Sequence, residues 1–335
     1  MRSGDRAQNA GPRVVVIGGG TGLSTMLRGL KRFSENITAI VSVADDGGGS
    51  GMLREELGML PPGDIRNCIQ ALANTEPTME ALLGYRFTEG SLKGQSFGNL
   101  FLAALNGMSE SFDRAVIKMS EVLAITGRVL PVTNENVRLT AEFSDGTILP
   151  GQSKITKGKL EDGLHIRRVF LSPEKPETLP ACVDAIDEAE MIILGPGSLY
   201  TSIIPNLLVK GIPEAIARSD ALRVMVLNVM TQNGESEGYK ASDHIKALFD
   251  HAGGKMCDYC LANSTAVPRE MLTRYGRADA EPTEVDEREV NRLGVSVIMA
   301  PVASWDSGVV RHDPGRLAEE LMCLFREKSP TKVYT

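Results

Sequence analysis

The sequence lacks the features that mark membrane-spanning, secreted and nucleic-acid-binding proteins. No run of about 18 apolar residues occurs, and the first twelve residues, MRSGDRAQNAGP, contain no apolar core of a signal peptide. Positive charge is not in excess, since 36 Lys and Arg stand against 43 Asp and Glu, a net charge of −7 over 335 residues. We therefore expect a cytoplasmic protein without a membrane span that binds no nucleic acid, with a disordered N-terminus over residues 1–12.

Cysteine is also scarce. Five cysteines in a chain of this length argue against a disulfide framework and favour reduced thiols. Cys257 and Cys260 form a C-x-x-C pair, and His244 and His251 lie upstream. Because a structural zinc site needs four ligands, a single pair on a strand-like segment favours two small buried residues over a metal site.

The sequence does contain an alternation of short apolar runs and amphipathic segments, which is typical of a doubly wound α/β sheet. Its length suits one large or two closely packed domains. Strands are predicted at 13–18, 37–44, 190–194, 223–229, 257–262 and 295–300, with helices between them and at 314–327. From about 131 to 171 the period shifts toward two around a turn at Asp145–Gly146, which predicts a small antiparallel β insertion.

A glycine-rich loop follows the first predicted strand, in the segment IGGGTGLSTML. Position 23 is Leu, so the dinucleotide fingerprint G-x-G-x-x-G is not met, and no Lys-Ser or Lys-Thr completes a Walker loop. What remains is a backbone loop that can approach a ligand closely; a purely packing role is the alternative. On the ligand interpretation, the residues that contact phosphate are Gly18, Gly19, Gly20, Thr21 and Gly22.

The segment IILGPGSLYTSIIPNLL, residues 192–208, is typical of a strand, a tight loop and a helix. The start of a helix carries unpaired N–H groups and a partial positive charge, which favour an anion such as phosphate. The alternative is an ordinary strand-to-helix turn with a serine cap. On the anion interpretation, the phosphate contacts are Gly195, Pro196, Gly197, Ser198, Thr201 and Ser202.

Two adjacent aspartates, Asp45 and Asp46, end the second predicted strand. Neighbouring side chains on an extended chain point in opposite directions, so one of the two is expected to face a ligand. That carboxylate would hold Mg²⁺ or accept hydrogen bonds from sugar hydroxyls; a pair of turn-forming aspartates is the alternative. Farther on, Asp64 is predicted to cap a helix beginning at Ile65, with Arg66 facing an anion or forming a surface ion pair.

A third polar cluster, NVMTQNGESEGY, follows another predicted strand. Its uncharged hydrogen-bonding side chains suit a base edge or sugar hydroxyls, and no Ser-His-Asp arrangement can be recognised. We therefore predict nucleoside or sugar contacts from Asn228, Thr231 and Gln232.

Together these segments resemble the bacterial gluconeogenesis factor family, which is similar in turn to the 2-phospho-L-lactate transferases of deazaflavin cofactor synthesis. The resemblance runs from about residue 13 to 315 and rests on VVVIGGGTGLSTMLRGLK, VADDGGGSGMLR, PPGDIRN, GPGSLYTSIIPNLL and NVMTQNGESEGYKASDH. It implies a Rossmann-like three-layer fold in one domain over 13–330, a cytoplasmic location, and binding of a UDP-sugar of the UDP-N-acetylglucosamine type. It also implies a role in growth and cell shape on gluconeogenic carbon sources.

The chain departs from the transferases where they bind their flavin acceptor. GQSFGNLFLAAL, residues 94–105, stands in place of their Gly-Asp-Arg-Asp segment, which weakens the case for that chemistry. Two later residues match the gluconeogenesis factor pattern: Tyr275 would stack on a base or sugar, and Arg311 would pair with a diphosphate. Taken alone, each is more typical of a surface residue.

The sequence thus supports two hypotheses of different classes. The first is a UDP-sugar-binding regulatory protein that forms a homo-oligomer and whose ligand alters its contacts with a cell-envelope or metabolic protein. The second is an Mg²⁺-dependent transferase acting on a nucleotide donor, in which Asp45 or Asp46 holds the metal and takes part in catalysis. An NAD-dependent oxidoreductase is disfavoured because the dinucleotide fingerprint fails.

Overall fold

The computed structural model describes residues 11–157, 164–276, 280–306 and 308–329. Its strands are β1 (Val14–Gly18), β2 (Ile37–Val41), β3 (Arg128–Pro131), β4 (Arg138–Phe143), β5 (Ile148–Pro150), β6 (Ile166–Ser172), β7 (Met191–Leu194), β8 (Leu222–Val226), β9 (Tyr259–Asn263), β10 (Ser296–Ala300), β11 (Ala303–Ser304) and β12 (Arg311–His312).

The helices fill the intervals between these strands. They are α1 (Gly20–Leu30), α2 (Gly48–Leu57), α3 (Gly63–Leu72), α4 (Pro77–Gly84), α5 (Phe97–Gly107), α6 (Phe112–Val122), α7 (Gln152–Lys157), α8 (Pro180–Asp187), a π-helix (Leu199–Ile203) continued by α9 (Ile204–Leu207), α10 (Ile212–Arg218), α11 (Ala241–Ala252), α12 (Arg269–Gly276), α13 (Glu287–Arg292) and α14 (Pro314–Lys328). Within the described ranges, none of them combines the length and apolar character needed to cross a membrane.

Seven strands form one parallel sheet in the order β10-β9-β8-β7-β1-β2-β3. Every residue of β1 and β2 is buried, and because successive residues face opposite sides of a sheet, both faces are covered. This confirms the predicted α/β fold with a mainly parallel sheet. One continuous cluster of buried apolar side chains extends through the sheet, its helices and the antiparallel insertion.

The strand order contains a topological switch point. From β1 the chain builds outward through β2 and β3, and it then returns to place β7 on the other side of β1, where Ile17 pairs with Leu194. In open parallel sheets, ligands bind outside the carboxyl ends of the strands at such a point. The two glycine-rich loops follow β1 and β7, so the fold places them side by side.

A second, three-stranded antiparallel sheet in the order β5-β4-β6 confirms the predicted small β insertion. Its boundaries differ from the prediction, because Pro131 ends β3 of the main sheet and the insertion continues to Ser172. Helix α7 also lies within it, a short element that the period-two pattern did not indicate.

The N-terminal boundary differs as well. Residues 1–10 of the predicted disordered segment lie outside the described chain. Residues 11 and 12 are held in place, because the Asn36 amide donates to the Gly11 carbonyl at 2.9 Å and the Ser34 hydroxyl donates to the Pro12 carbonyl at 2.7 Å. At the other end, position 330 is outside the described residues, which end one residue after α14.

The C-x-x-C pair is part of the core. Cys257 and Cys260 are fully buried, and this burial raises the pKa of both thiols, that of Cys260 to about 12. In the part of the chain that the structure describes, no group of three or more His, Cys, Asp or Glu residues is arranged to hold a metal. These observations favour the packing interpretation over the zinc site.

Candidate functional site

The two glycine loops touch at the switch point. A Cβ atom on Gly22 would lie 2.7 Å from the carbonyl oxygen of Pro196, closer than two such atoms can approach. Ser202 lies between the loops, since a Cβ atom on Gly19 or on Gly197 would be 3.5 Å or 3.4 Å from the Ser202 Cβ. Glycine at position 22 therefore allows the loops to pack backbone against backbone.

A cavity of about 350 Å³ opens beside this contact, bounded by both glycine loops, the loop after β8, and residues 309–312. It brings together thirteen of the predicted site residues: Gly19, Gly20, Thr21, Gly22, Pro196, Gly197, Ser198, Ser202, Asn228, Thr231, Gln232, Tyr275 and Arg311. The predicted residues that do not line it are Gly18, Asp45, Asp46, Gly195 and Thr201. Among its described lining residues there is no Asp or Glu.

The start of α1 forms one wall of this cavity. Gly19 occupies the N-cap position without a side-chain capping bond, and the first turn contains no acidic residue. The first N–H groups of a helix have no partner within the helix, and they carry its positive dipole end. Of these groups, the Gly20 N–H is accepted by the buried Asp64 carboxyl, whereas Thr21 and Gly22 line the cavity.

The polar loop after β8 braces the second glycine loop. Gly197 donates its N–H to Asn228 Oδ1 at 3.2 Å, and the Asn228 amide donates to the Gly197 carbonyl at 2.7 Å. The Gln232 amide donates to Ser198 Oγ at 2.9 Å. Thr231 exchanges two hydrogen bonds with the backbone of Glu281. These side chains line the cavity, but much of their hydrogen-bonding capacity holds the protein together. Their nucleoside or sugar contacts stay a prediction.

Thr201 lies behind the second loop rather than in the cavity. It is 3% exposed, and its hydroxyl donates to Glu235 Oε1 at 2.9 Å. Because the hydroxyl is already engaged, the predicted phosphate contact from Thr201 is not supported. Glu235 was missed by the sequence analysis; its one signal is an acidic residue inside the polar loop NGESEG that follows a buried strand.

Asp45 and Asp46 have different neighbours, as expected for adjacent residues on an extended segment. Asp46 Oδ1 accepts the N–H of Ser153 at 2.7 Å and so binds the first turn of α7. Asp45 Oδ1 accepts the N–H of Gly47 at 2.9 Å. Burial raises the pKa of Asp45, an effect that hydrogen bonds from Gly47 and from the Ser50 hydroxyl oppose. Asp46 thus fastens the insertion, and Asp45 remains the carboxylate nearer the ligand edge.

Asp64 has a different place from the predicted one. Helix α3 begins at Gly63 with Pro62 at the N-cap, so Asp64 lies inside the first turn and does not cap the helix. Its Oδ2 lies 2.7 Å from the position that a Cβ atom on Gly19 would take, and it accepts the N–H of Gly20. Desolvation, and then the charge of Asp45, raise the pKa of Asp64 to about 7.

Arg66 is likewise not where the sequence suggested. It is buried, and its guanidinium donates to Asn99 Oδ1 at 3.2 Å and to Gln70 Oε1 at 3.2 Å. Neither an anion site nor a surface ion pair accounts for it. The contact joins α3 to α5 through a long-range pairing that spacing along the chain does not reveal.

The far side of the cavity carries an aromatic ring, a cation and a neutral histidine. Tyr275 accepts the N–H of Val310 at 2.9 Å through its hydroxyl, while Arg311 is exposed. His312 was not predicted from the sequence, and its Nε2 donates to the Leu227 carbonyl at 3.1 Å. Burial lowers the pKa of His312 to about 4, so the ring is neutral and Arg311 is the one charged side chain among the described lining residues.

Comparison with known proteins identifies the family. A family model described as 2-phospho-L-lactate transferase CofD matches residues 14–303. A putative gluconeogenesis factor of Thermoanaerobacterium thermosulfurigenes is 57% identical over 314 residues, which cover 94% of this chain and 97% of that protein. The gluconeogenesis factor of Bacillus subtilis is 47% identical over 317 residues, covering 94% of this chain and 99% of that one.

A solved structure agrees with these sequence relatives. The crystal structure of protein BH3568 from Bacillus halodurans superposes with a TM-score of 0.90 at 46% identity, and the match covers 93% of this chain and 99% of that one. The match therefore extends over most of the chain rather than a single motif. The chain therefore belongs to the gluconeogenesis factor family, within the wider 2-phospho-L-lactate transferase (CofD) family.

Proposed function

We propose that the protein is a regulatory protein that binds a UDP-sugar of the UDP-N-acetylglucosamine type and supports growth and cell shape under gluconeogenic conditions. The gluconeogenic role is taken from relatives that carry the name gluconeogenesis factor. The ligand class rests chiefly on one observation: Thr21 and Gly22, in the first turn of α1, line a cavity that has one cation and no acidic side chain among its described residues. Such a site binds a diphosphate locally, without a basic surface.

The bonding of the loops indicates where each part of the ligand would lie. The Gly197 N–H and Ser198 Oγ are already hydrogen-bonded to Asn228 and Gln232. The proposal therefore assigns the phosphate contacts to Thr21 and Gly22 in the first turn of α1. In the proposal the diphosphate lies against α1, Arg311 pairs with it, and the Tyr275 ring packs on the base or sugar.

The base is proposed to be uracil. A guanine base has a ring N–H and an adjacent amino group, and a carboxylate is well suited to accept hydrogen bonds from both. No carboxylate is among the described lining residues. The neutral ring of His312 offers one acceptor nitrogen, because its other nitrogen donates to the Leu227 carbonyl.

An Mg²⁺-dependent transferase is the second candidate, and the carboxylates beside the first glycine loop favour it. The charge of Asp45 helps to raise the pKa of Asp64, so two acidic side chains lie close together where a divalent cation would relieve their repulsion. Mg²⁺ is commonly held by one or two carboxylates together with phosphate oxygens and water, and these two residues fit that role. The metal would supply charge neutralisation on the phosphates. Asp46 is occupied by α7 and does not fit.

Calorimetric titration with UDP-N-acetylglucosamine, followed by recovery of the ligand, tests the proposal. We expect saturable binding without Mg²⁺ and recovery of the ligand intact. Arg311→Gln is expected to weaken binding by about tenfold or more, because it removes the charged partner of the diphosphate. Arg316→Gln, which removes an exposed arginine from α14, is the matched control and is expected to bind normally.

Two outcomes would contradict it. Absence of saturable binding would exclude a UDP-sugar ligand. Mg²⁺-dependent breakdown of a nucleotide donor that Asp45→Asn or Asp64→Asn abolishes would establish the transferase instead.

A further inference from the structure

A buried carboxylate lies directly behind the second glycine loop. Glu235 is 5% exposed, and its Oε1 accepts the hydroxyl hydrogen of Thr201 at 2.9 Å. The N–H groups of Tyr200 and Thr201, at the start of the π-helix, and the Ser198 hydroxyl face the same carboxyl. The end of this helix that would attract a phosphate is therefore already directed at an anion belonging to the protein.

No cation balances this charge. In the described chain, Glu235 forms no ion pair with Lys, Arg or His, and its Oε2 is buried without a hydrogen-bond partner. Removal from water raises the pKa of the carboxyl to about 7, although the Thr201 hydroxyl and the neighbouring N–H groups oppose this rise. The carboxyl thus has a free oxygen to carry a proton at near-neutral pH.

Other ionisable groups lie near Glu235, but none of those named here neutralises its negative charge. The π-helix contributes the Tyr200 phenol, and the loop after β8 contributes Tyr239 and Glu237. His165, just before β6, lines with Glu235 a second cavity of about 350 Å³, whose lining includes no residue of the glycine loops. The two phenols remain neutral because burial raises the pKa of each above its ordinary value.

Ser198 links the carboxyl to the ligand cavity. It lines the cavity, its Oγ accepts a hydrogen bond from Gln232, and its hydroxyl faces Glu235. A diphosphate at the start of α1 would lie in the cavity that Ser198 lines, so Ser198 would separate it from a buried, uncompensated negative charge. The two anions repel in a region of low dielectric constant, and protonation of the carboxyl removes the repulsion.

We propose that Glu235 is a positioning residue that couples anion binding to proton uptake, so that the carboxyl takes one proton from solvent when a diphosphate enters the cavity. This inference rests on the proposed function, because it assumes a nucleotide-sugar ligand between the two glycine loops. It extends that function by making ligand affinity respond to pH near neutrality. The Glu235–Thr201 contact would hold the loop in either protonation state, since a protonated carboxyl still has an accepting oxygen.

The direction of the effect follows from linkage. A bound diphosphate raises the pKa of Glu235 above its value of about 7 in the free protein, so affinity falls as pH rises from 6.5 to 8.5. The two phosphates of UDP-N-acetylglucosamine carry no proton that titrates in this range, and His312 titrates far below it. Asp64 titrates in the same range, so a variant has to separate the two carboxyls.

The experiment is titration of UDP-N-acetylglucosamine at pH 6.5, 7.5 and 8.5 without divalent cations, in two buffers of different ionisation enthalpy, which reports proton uptake. We expect the wild-type protein to bind at least about fivefold more weakly at pH 8.5 than at pH 6.5 and to take up protons. Glu235→Gln is expected to bind more tightly at pH 8.5 and to lose most of both effects. Glu237→Gln changes the same charge at an exposed position of the same loop and is expected to behave as wild type.

Thr201→Val provides a second test should Glu235→Gln fail to fold. It removes the hydrogen bond that favours the ionised carboxylate, so the pH midpoint of the affinity is expected to move upward. In the ligand-free protein, Glu235→Gln is also expected to reduce the loss of thermal stability between pH 6.5 and 8.5.

The inference is overturned if wild-type affinity does not depend on pH, or if Glu235→Gln keeps the wild-type pH profile and proton uptake, which would assign them to another group such as Asp64. Failure of the proposed function looks different. In that case UDP-N-acetylglucosamine would not bind at any pH, while the ligand-free stability of Glu235→Gln would still report whether the carboxyl titrates as stated.

Discussion

Gly22 allows the two glycine-rich loops of the site to pack against each other. The loops after β1 and β7 meet at this residue, and any side chain there would collide with the backbone of Pro196. A backbone atom cannot rotate away as a flexible side chain can, so the two loops would have to separate. The sequence shows only that glycine is abundant here; which glycine is required depends on a contact between segments more than 170 residues apart.

We expect Gly22→Ala to lower the free energy of unfolding by about 1–3 kcal/mol, as over-packing at a close contact does. Urea denaturation measures this difference. Gly107→Ala is the control, because Gly107 is exposed at the end of α5 with nothing within 4 Å of its added Cβ. It is expected to leave stability unchanged or raise it slightly. Equal effects of the two substitutions would contradict the close approach of the loops.

Asp64 should make stability depend on pH. Its pKa in the folded protein, about 7, lies above that of an unfolded aspartate, so its contribution is fully present at low pH and is lost as pH rises through 7. We therefore expect the wild-type melting temperature to fall between pH 5 and pH 8. Asp64→Asn is expected to reduce this slope, leaving the part that comes from Asp45 and Glu235. An unchanged slope in Asp64→Asn would show that the carboxyl does not titrate as stated.

At the scale of elements, the hydrophobic pattern of the sequence predicted the strands and helices that depend on local sequence alone. The apolar runs at β1, β7, β8, β9 and β10 and the closing helix α14 were all predicted, because each depends on its own hydrophobic pattern. The bonds of Asn228, Gln232 and Thr201 were not, because they depend on β7 and β8 being neighbours in the sheet. Buried carboxylates such as Glu235 have no sequence pattern that separates them from exposed ones.

Asp46 joins the segment after β2 to α7, so its substitution is expected to destabilise α7 in the insertion. We expect Asp46→Ala to speed amide hydrogen exchange in α7 (Gln152–Lys157), because the Ser153 N–H loses its acceptor. UDP-sugar affinity is expected to change less than about twofold, which is within the effect of a surface substitution. Asp145→Ala, which removes an exposed turn aspartate at the other end of the insertion, is the control and should leave α7 unaffected.

The opposite result would contradict the assignment of Asp46 to the insertion and of Asp45 to the ligand edge. If α7 exchanged normally in Asp46→Ala while ligand affinity fell sharply, Asp46 rather than Asp45 would be the residue that faces the ligand.

For the whole molecule, the switch point between β1 and β7 makes two distant loops into one site. The α/β class was predicted from the hydrophobic pattern of the sequence, and the family resemblance indicated that the glycine-rich and polar segments belong to one site. The strand order could not be derived from the sequence, because the neighbours of each strand depend on how all the strands pack. The cavity that results is partly enclosed, and its described lining residues include one cation and the first turn of α1.

The most direct test of a UDP-sugar site at this switch point is the thermal unfolding midpoint with UDP-N-acetylglucosamine, GDP, NAD or buffer alone, each with and without Mg²⁺. A ligand at a hundred times its dissociation constant adds about 2.7 kcal/mol, enough to raise the midpoint by a few degrees. We expect a rise with UDP-N-acetylglucosamine that does not need Mg²⁺, and none with GDP or NAD. A rise with GDP alone, strengthened by Mg²⁺, would contradict the UDP-sugar site and identify a nucleotide-dependent transferase.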